Sequence, residues 1–169
     1  LDGICHTYID KDANTKMAID ITFNAKMRRT SICGATETIL CHKDIVKQVL
    51  PHLLEKLLNA GCEIRGDNDV ALLSKRIKKA SEQDWKKEYL DSIVSIKVVN
   101  SLNEAIKHIN DYSSKHTDAI ITNSSKNAKL FLTEIESAIV MHNTSTQFSD
   151  GAEFGLGAEI GISTGKLHA

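Results

Sequence analysis

Short segments rich in β-branched residues alternate along this chain with longer segments of helical period, and that alternation constrains the fold more than any other feature. Cys5 to Ile9 reads as a strand, and Ala13 to Met27 follows with Ala13, Met17, Ala18, Ile21 and Ala25 on one helical face and Asp12 as its N-cap. Glu37 to His42 is the next strand. Asp44 to Asn59 carries the longest apolar stripe, from Ile45 to Leu58, with Pro51 expected to kink or divide it and Gly61 to stop it. A short strand is expected at Cys62 to Arg65, a helix over Val70 to Lys79 and a β-branched strand at Ile93 to Val99. Ser101 and Glu104 form a capping box, in which each side chain satisfies an orphan backbone N–H at the start of a helix buried through Leu102, Ala105, Ile106 and Ile109. Ala119 to Thr122, Ser125 to Leu132 and Ser137 to His142 read as strand, helix and strand. Such βαβ repetition implies an α/β fold with a largely parallel sheet flanked by helices.

The segment 151–169 differs, because Gly151, Gly155, Gly157, Gly161 and Gly165 crowd into it. It is expected to be either a ligand-contacting loop or poorly ordered. No internal repeat or low-complexity linker divides the rest, so residues 1–169 are expected to form one domain.

Composition narrows the partners. Twenty-one basic against 22 acidic residues leave a net charge of −1, without the one-signed field that nucleic acid or a membrane surface requires. No membrane span and no leader sequence is expected, which points to the cytoplasm. Cys5, Cys33, Cys41 and Cys62 show neither the spacing of a disulfide framework nor a C-x-x-C pair, so reduced thiols are expected. The chain begins at Leu1 rather than Met, which reads as processing or excision.

Cys33 lies in a small-residue loop a few positions after Lys26, Arg28 and Arg29, where positive charge favours a thiolate. The alternative is a small buried hydrophobe, the usual condition of a cysteine. The pairs Cys5-His6 and Cys41-His42 send their side chains to opposite faces of a strand, and the remaining histidines lack ligand spacing, so no metal is expected. Gly155-Leu-Gly157-Ala-Glu-Ile-Gly161 has one residue too many for a dinucleotide fingerprint. Lys75, Lys78 and Lys79 read as a solvated helix face.

Longer strings carry more. Asn24-Ala-Lys-Met-Arg-Arg-Thr-Ser-Ile-Cys33 with Glu37-Thr38 resembles the active-site segment of the γ-glutamyl phosphate reductase (glutamate 5-semialdehyde dehydrogenase) family, a branch of the aldehyde dehydrogenase superfamily. Leu1 to His6, Glu88-Tyr-Leu90, Ile96 to Val99, His116 to Ala119, Asn143 to Thr146, Glu153 to Thr164 and Lys166 to Ala169 agree with it in order along essentially the whole chain. Thr30, Gly34 and Thr144 depart from it, standing where the family usually has proline, asparagine and alanine.

The resemblance implies an aldehyde-dehydrogenase-like catalytic domain, since the family chain is much longer and includes a Rossmann-like cofactor domain not matched here. It implies NADPH-dependent reduction of γ-glutamyl phosphate to glutamate 5-semialdehyde, in proline biosynthesis, with Cys33 as nucleophile. A thiolate that attacks well and leaves well divides one displacement into two easier ones, and the Cys33 backbone N–H is a candidate oxyanion donor. Glu88 resembles the superfamily glutamate that binds nicotinamide-side ribose hydroxyls, while most NADP(H) contacts are expected in the unmatched domain. Arg28, Arg29, Ser145 and Thr146 are candidates for holding the substrate's α-carboxylate. The rival reading is a catalytically silent remnant serving as an oligomerising or partner-binding module. Under either, a homodimer or a separate cofactor-domain chain is the expected macromolecular partner, beside a small-molecule substrate.

Overall fold

The computed structural model describes residues 2–155 and 157. Seven strands lie in one sheet: β1 (Cys5–Ile9), β2 (Thr36–His42), β3 (Glu63–Gly66), β4 (Lys78–Lys79), β5 (Ile93–Val99), β6 (Thr117–Ile121) and β7 (Ile139–His142). Their order is β4-β3-β5-β2-β1-β6-β7, and every pairing is parallel. Five α-helices accompany them: α1 (Thr15–Met27), α2 (Val46–Asn59), α3 (Asn68–Ala71), α4 (Leu102–Tyr112) and α5 (Ser125–Glu134). The expected parallel α/β sheet is present.

Strand alternation sorts the core into two layers. Ile9, Ile39, Cys41 and Ile121 turn to one face, where Ala18 of α1 and Val49, Leu50, Leu53 and Leu57 of α2 cover them. Tyr8, Leu40 and Ile120 turn to the other, against Ala105, Ile106 and Ile109 of α4 and Phe131 of α5. With both faces covered, β1, β2 and β6 are buried along their whole lengths. Helices cover both faces of a parallel sheet because each crossover must return the chain to the same edge.

Several boundaries differ from the sequence reading, each for a local reason. Helix α1 is capped by Asn14, whose side chain accepts from the Met17 N–H (3.0 Å), and not by Asp12. Helix α2 runs undivided through Pro51, held by the stripe it buries. The helix expected over Val70 to Lys79 is only the single turn α3. Asp67 caps it (Val70 N–H to Oδ1, 2.9 Å), and beyond it Leu72 is 85% exposed, so no apolar face sustains another turn. Lys78 and Lys79 accordingly form the two-residue edge strand β4 and not a helix face; exposed lysines on a short strand blunt a sheet edge against further pairing. Of the glycine-rich segment, Gly151–Phe154 forms a 3₁₀ turn ended by Gly155 at φ +73°, and residues 156 and 158–169 lie outside the described residues.

Candidate active site

A sheet whose strands are all parallel gathers their amino ends along one edge. The segment before β1 brings Gly3 there, the turn before β2 brings Cys33, and the segment before β5 brings Glu88.

The residues between α1 and β2 form a tight turn, closed by Ala35 N–H to Ile32 O (3.0 Å), that leaves Cys33 exposed. The other three thiols are buried. Burial pushes Cys41 and Cys62 up to about 12. It pushes Cys5 well above its ordinary value too, aided by the charge of Asp118, a residue whose carboxylate takes the His6 N–H (2.7 Å). Cys5 donates its S–H to the Cys33 carbonyl (3.1 Å), so a buried, protonated thiol holds the backbone of the exposed one.

Gly3 abuts the same carbonyl. A Cβ on Gly3 would lie 2.3 Å from Cys33 O and 2.6 Å from Cys33 Cα, so only glycine permits this approach. The Gly3 N–H donates to Glu88 Oε1 (2.8 Å). Glu88 is therefore one residue removed from Cys33, although 55 positions separate them in sequence.

Behind the turn lies a fully buried ion pair, Lys26 Nζ to Glu37 Oε2 at 2.7 Å. Burial raises the Glu37 carboxyl to about 7, with the Lys26 charge opposing that rise. The other oxygen of Glu37 accepts from Leu90 N–H (3.3 Å), and Leu90 adopts the left-handed region at φ +53°. A closed circuit results: Cys33 against Gly3, Gly3 to Glu88, Leu90 to Glu37, Glu37 to Lys26, and Lys26 at the end of α1 leading back into the Cys33 turn.

The 3₁₀ turn Thr146–Ser149 closes the far side. Its Gln147 amide donates to three carbonyls at the end of α1 and just beyond it: Asn24 (3.2 Å), Ala25 (2.8 Å) and Arg29 (3.1 Å). Thr146 Oγ1 lies 3.0 Å from Thr36 Oγ1. Gly34 packs against this turn so closely that a Cβ would sit 3.3 Å from Thr146 O.

Cys33 and Glu88 are thus brought together, whereas the other four residues named from sequence have partners of their own. Arg28 pairs with Glu153 and stacks over Phe148, and Arg29 lies 3.9 Å from Asp150. Ser145 is buried and accepts from Gln147 N–H (3.3 Å), and Thr146 is buried against Thr36. Lys26, named from sequence only as one of three cations beside Cys33, is instead fully buried against Glu37, and Arg28 and Arg29 face Glu153 and Asp150, so each of the cations expected to favour the thiolate is matched by a carboxylate. Sequence reasoning missed this pairing of Lys26 and the structural roles of Glu37, Gln147 and Gly3. A signal existed for the ion pair: Lys26 falls on the same helical face as Ala18, Thr22 and Ala25, and Glu37 is the second residue of a strand with no exposed face. None existed for Gln147. Among the described residues no group of three or more His, Cys, Asp or Glu side chains could hold a metal ion, and no helix is long and apolar enough to cross a membrane.

Comparison with known proteins fits this geometry. The family model "Aldehyde dehydrogenase family" matches residues 76–158. Gamma-glutamyl phosphate reductase of Rhodospirillum rubrum is 57% identical over 169 residues, covering 100% of this chain and 40% of that protein. The crystal structure of gamma-glutamyl phosphate reductase from Thermotoga maritima superposes with a TM-score of 0.94 at 44% identity, covering 100% of this chain and 41% of that one. The yeast enzyme of the same name, from Saccharomyces cerevisiae, gives a TM-score of 0.70 at 33% identity over 96% of this chain and 40% of its own. The chain spans about two fifths of the length of the relatives it matches.

Proposed function

We propose that this chain, similar over its whole length to gamma-glutamyl phosphate reductases, is the aldehyde-dehydrogenase-like catalytic domain of an NADP(H)-dependent enzyme that reduces γ-glutamyl phosphate to glutamate 5-semialdehyde in proline biosynthesis. One observation carries the reading: of four thiols, the exposed one is Cys33, on a turn fixed from every side. Cys33 Sγ attacks the acyl carbon, the bond from that carbon to the phosphate oxygen breaks, and inorganic phosphate leaves a thioester on Cys33. A thiolate suits this step as both nucleophile and leaving group. The Cys33 backbone N–H is the candidate donor to the oxyanion.

The residues present fit one edge of a dinucleotide. Glu88 is half-exposed and takes a backbone N–H on Oε1, so its carboxylate suits acceptance of hydroxyl hydrogens from a ribose. NADPH, when bound, would supply the hydride that turns the thioester into the aldehyde. Its remaining contacts belong to the part of the relatives that this chain does not span, or to a partner chain. Arg28 and Arg29, named from sequence as carboxylate binders, act in this reading as anchors of the 3₁₀ turns through Glu153 and Asp150. Ser145 and Thr146 hold the same turns from within. The cytoplasm, which keeps thiols reduced, suits the nucleophile.

The test is alkylation by limiting iodoacetamide across a pH series, mapped by peptide mass spectrometry. Cys33 is expected to react first, with a midpoint well below the ordinary thiol value of about 8.5. A midpoint at or above that value would remove Cys33 as an activated nucleophile.

A further inference from the structure

We infer that Glu88 is a positioning residue for Cys33, acting through the Gly3 backbone. The carboxylate holds the Gly3 N–H at 2.8 Å, and Gly3 is the surface against which the Cys33 carbonyl and Cα rest, too close for any side chain. Glu88 cannot yield freely, because Leu90 two residues on is tied to Glu37 and Glu37 to Lys26, and both ends of that pair are buried. Cys33 cannot shift toward Gly3 without a clash, nor away from it without breaking the S–H bond that Cys5 donates to its carbonyl. The order of the nucleophile's turn is therefore set by Glu88 through the Gly3 backbone. The same contact covers Cys5, which has no exposed surface.

The catalytic meaning of this contact rests on the reading of Cys33 as nucleophile. The contact itself does not, and its test needs neither cofactor nor turnover. Glu88→Ala removes the acceptor. Glu88→Gln removes the charge but keeps an oxygen for the Gly3 N–H. Gly3→Ala forces the two backbones apart by another route.

Two readouts on the full chain apply: iodoacetamide labelling of Cys5 with Cys41 and Cys62 as internal references, and amide hydrogen exchange over residues 30–35. Glu88→Ala and Gly3→Ala should raise Cys5 labelling by up to about tenfold, the scale of one lost hydrogen bond. They should also accelerate exchange over residues 30–35, while Cys41 and Cys62 stay as they are. Glu88→Gln should leave both readouts close to the parent protein. Unchanged Cys5 labelling or exchange in Glu88→Ala overturns the inference. So does a Glu88→Gln variant as loose as Glu88→Ala, which would make the effect one of charge, or a parallel rise at Cys41 and Cys62, which would make it general loosening. Failure of the nucleophile reading appears elsewhere, in the pH midpoint of Cys33 itself.

Discussion

The Lys26–Glu37 pair offers the sharpest quantitative test, because both side chains are fully buried and 2.7 Å apart. Removing one partner strands the other charge in an apolar interior, which costs about 3–5 kcal/mol, whereas replacing both with uncharged groups of similar volume is often close to neutral. Lys26→Met should therefore lower unfolding free energy by about 3–5 kcal/mol at pH 8, and Glu37→Gln by a similar amount. The double variant should lie within about 1.5 kcal/mol of the parent, a size typical of volume-conserving changes. The pH dependence fixes the cause. Glu37 has a folded value of about 7 against an ordinary 4.5, so the folded state binds its proton more tightly. Stability from this group is then greatest below 4.5 and falls as pH climbs to about 7, by about 3 kcal/mol in all. In Lys26→Met the lost attraction raises the folded value further and extends the fall above pH 7. Its deficit should accordingly be much smaller at pH 5 than at pH 8. Urea unfolding of the four proteins at both pH values measures this directly. A Lys26→Met deficit below about 1 kcal/mol at pH 8, the range of exposed pairs, would refute the reasoning. A deficit that is equal at the two pH values would refute it as well.

Two further outcomes follow from packing. Gln147→Leu removes an amide that serves three carbonyls at the end of α1 and should cost about 1–3 kcal/mol in urea unfolding, with faster hydrogen exchange over residues 24–35. Leu53→Ala empties a fully buried position in the α2 stripe and should cost about 2–5 kcal/mol, read by thermal melting, without altering the pH midpoint of Cys33 alkylation.

What could be read in the sequence followed from local physics. The β-branched run Ile93 to Val99 and the N-cap Ser101 are decided by neighbouring residues, and the structure has both, with Ser101 Oγ accepting from Glu104 N–H (3.1 Å); the glutamate half of the expected box is shifted by one residue, Glu104 accepting from Asn100 N–H (2.8 Å) rather than from Ser101. The stretch 70–79 misleads because Val70, Leu72, Leu73 and Ile77 resemble a helical face, yet Ile77 is buried where the chain turns into an edge strand and Leu72 is not buried at all. The arginines show another limit of local reading. Two guanidiniums near a candidate nucleophile suggest a substrate grip, and no local pattern announces that Arg28 bonds Glu153 or that Asp150 lies 3.9 Å from Arg29, both carboxylates more than 120 positions away. Local chemistry nominates a residue type, and only tertiary structure says which distant groups already face it.

The location of the site gives that distinction mechanical weight. In open parallel sheets the usual crevice lies at the carboxyl ends of the strands, where strand order reverses and helix N-termini offer backbone donors. Here the reversal falls between β1 and β6, and Asp10 fills it: its carboxylate takes hydrogen bonds from Tyr8 OH (3.0 Å), Thr122 Oγ1 (2.7 Å) and Asn127 Nδ2 (2.8 Å). Cys33 stands at the opposite edge, beside the C-terminal end of α1, where a helix presents carbonyls and a partial negative charge. On the proposed reading, a Cys33 thiolate there gains nothing from a helix dipole, and its reactivity rests on the geometry of its own turn. Gln147 takes up the carbonyls at the end of α1 that would oppose negative charge, and Gly3, Glu88 and the Lys26–Glu37 pair hold the turn in place. Substitutions at Gly3, Gln147 and the Lys26–Glu37 pair should then change Cys33 alkylation even with no substrate or cofactor present.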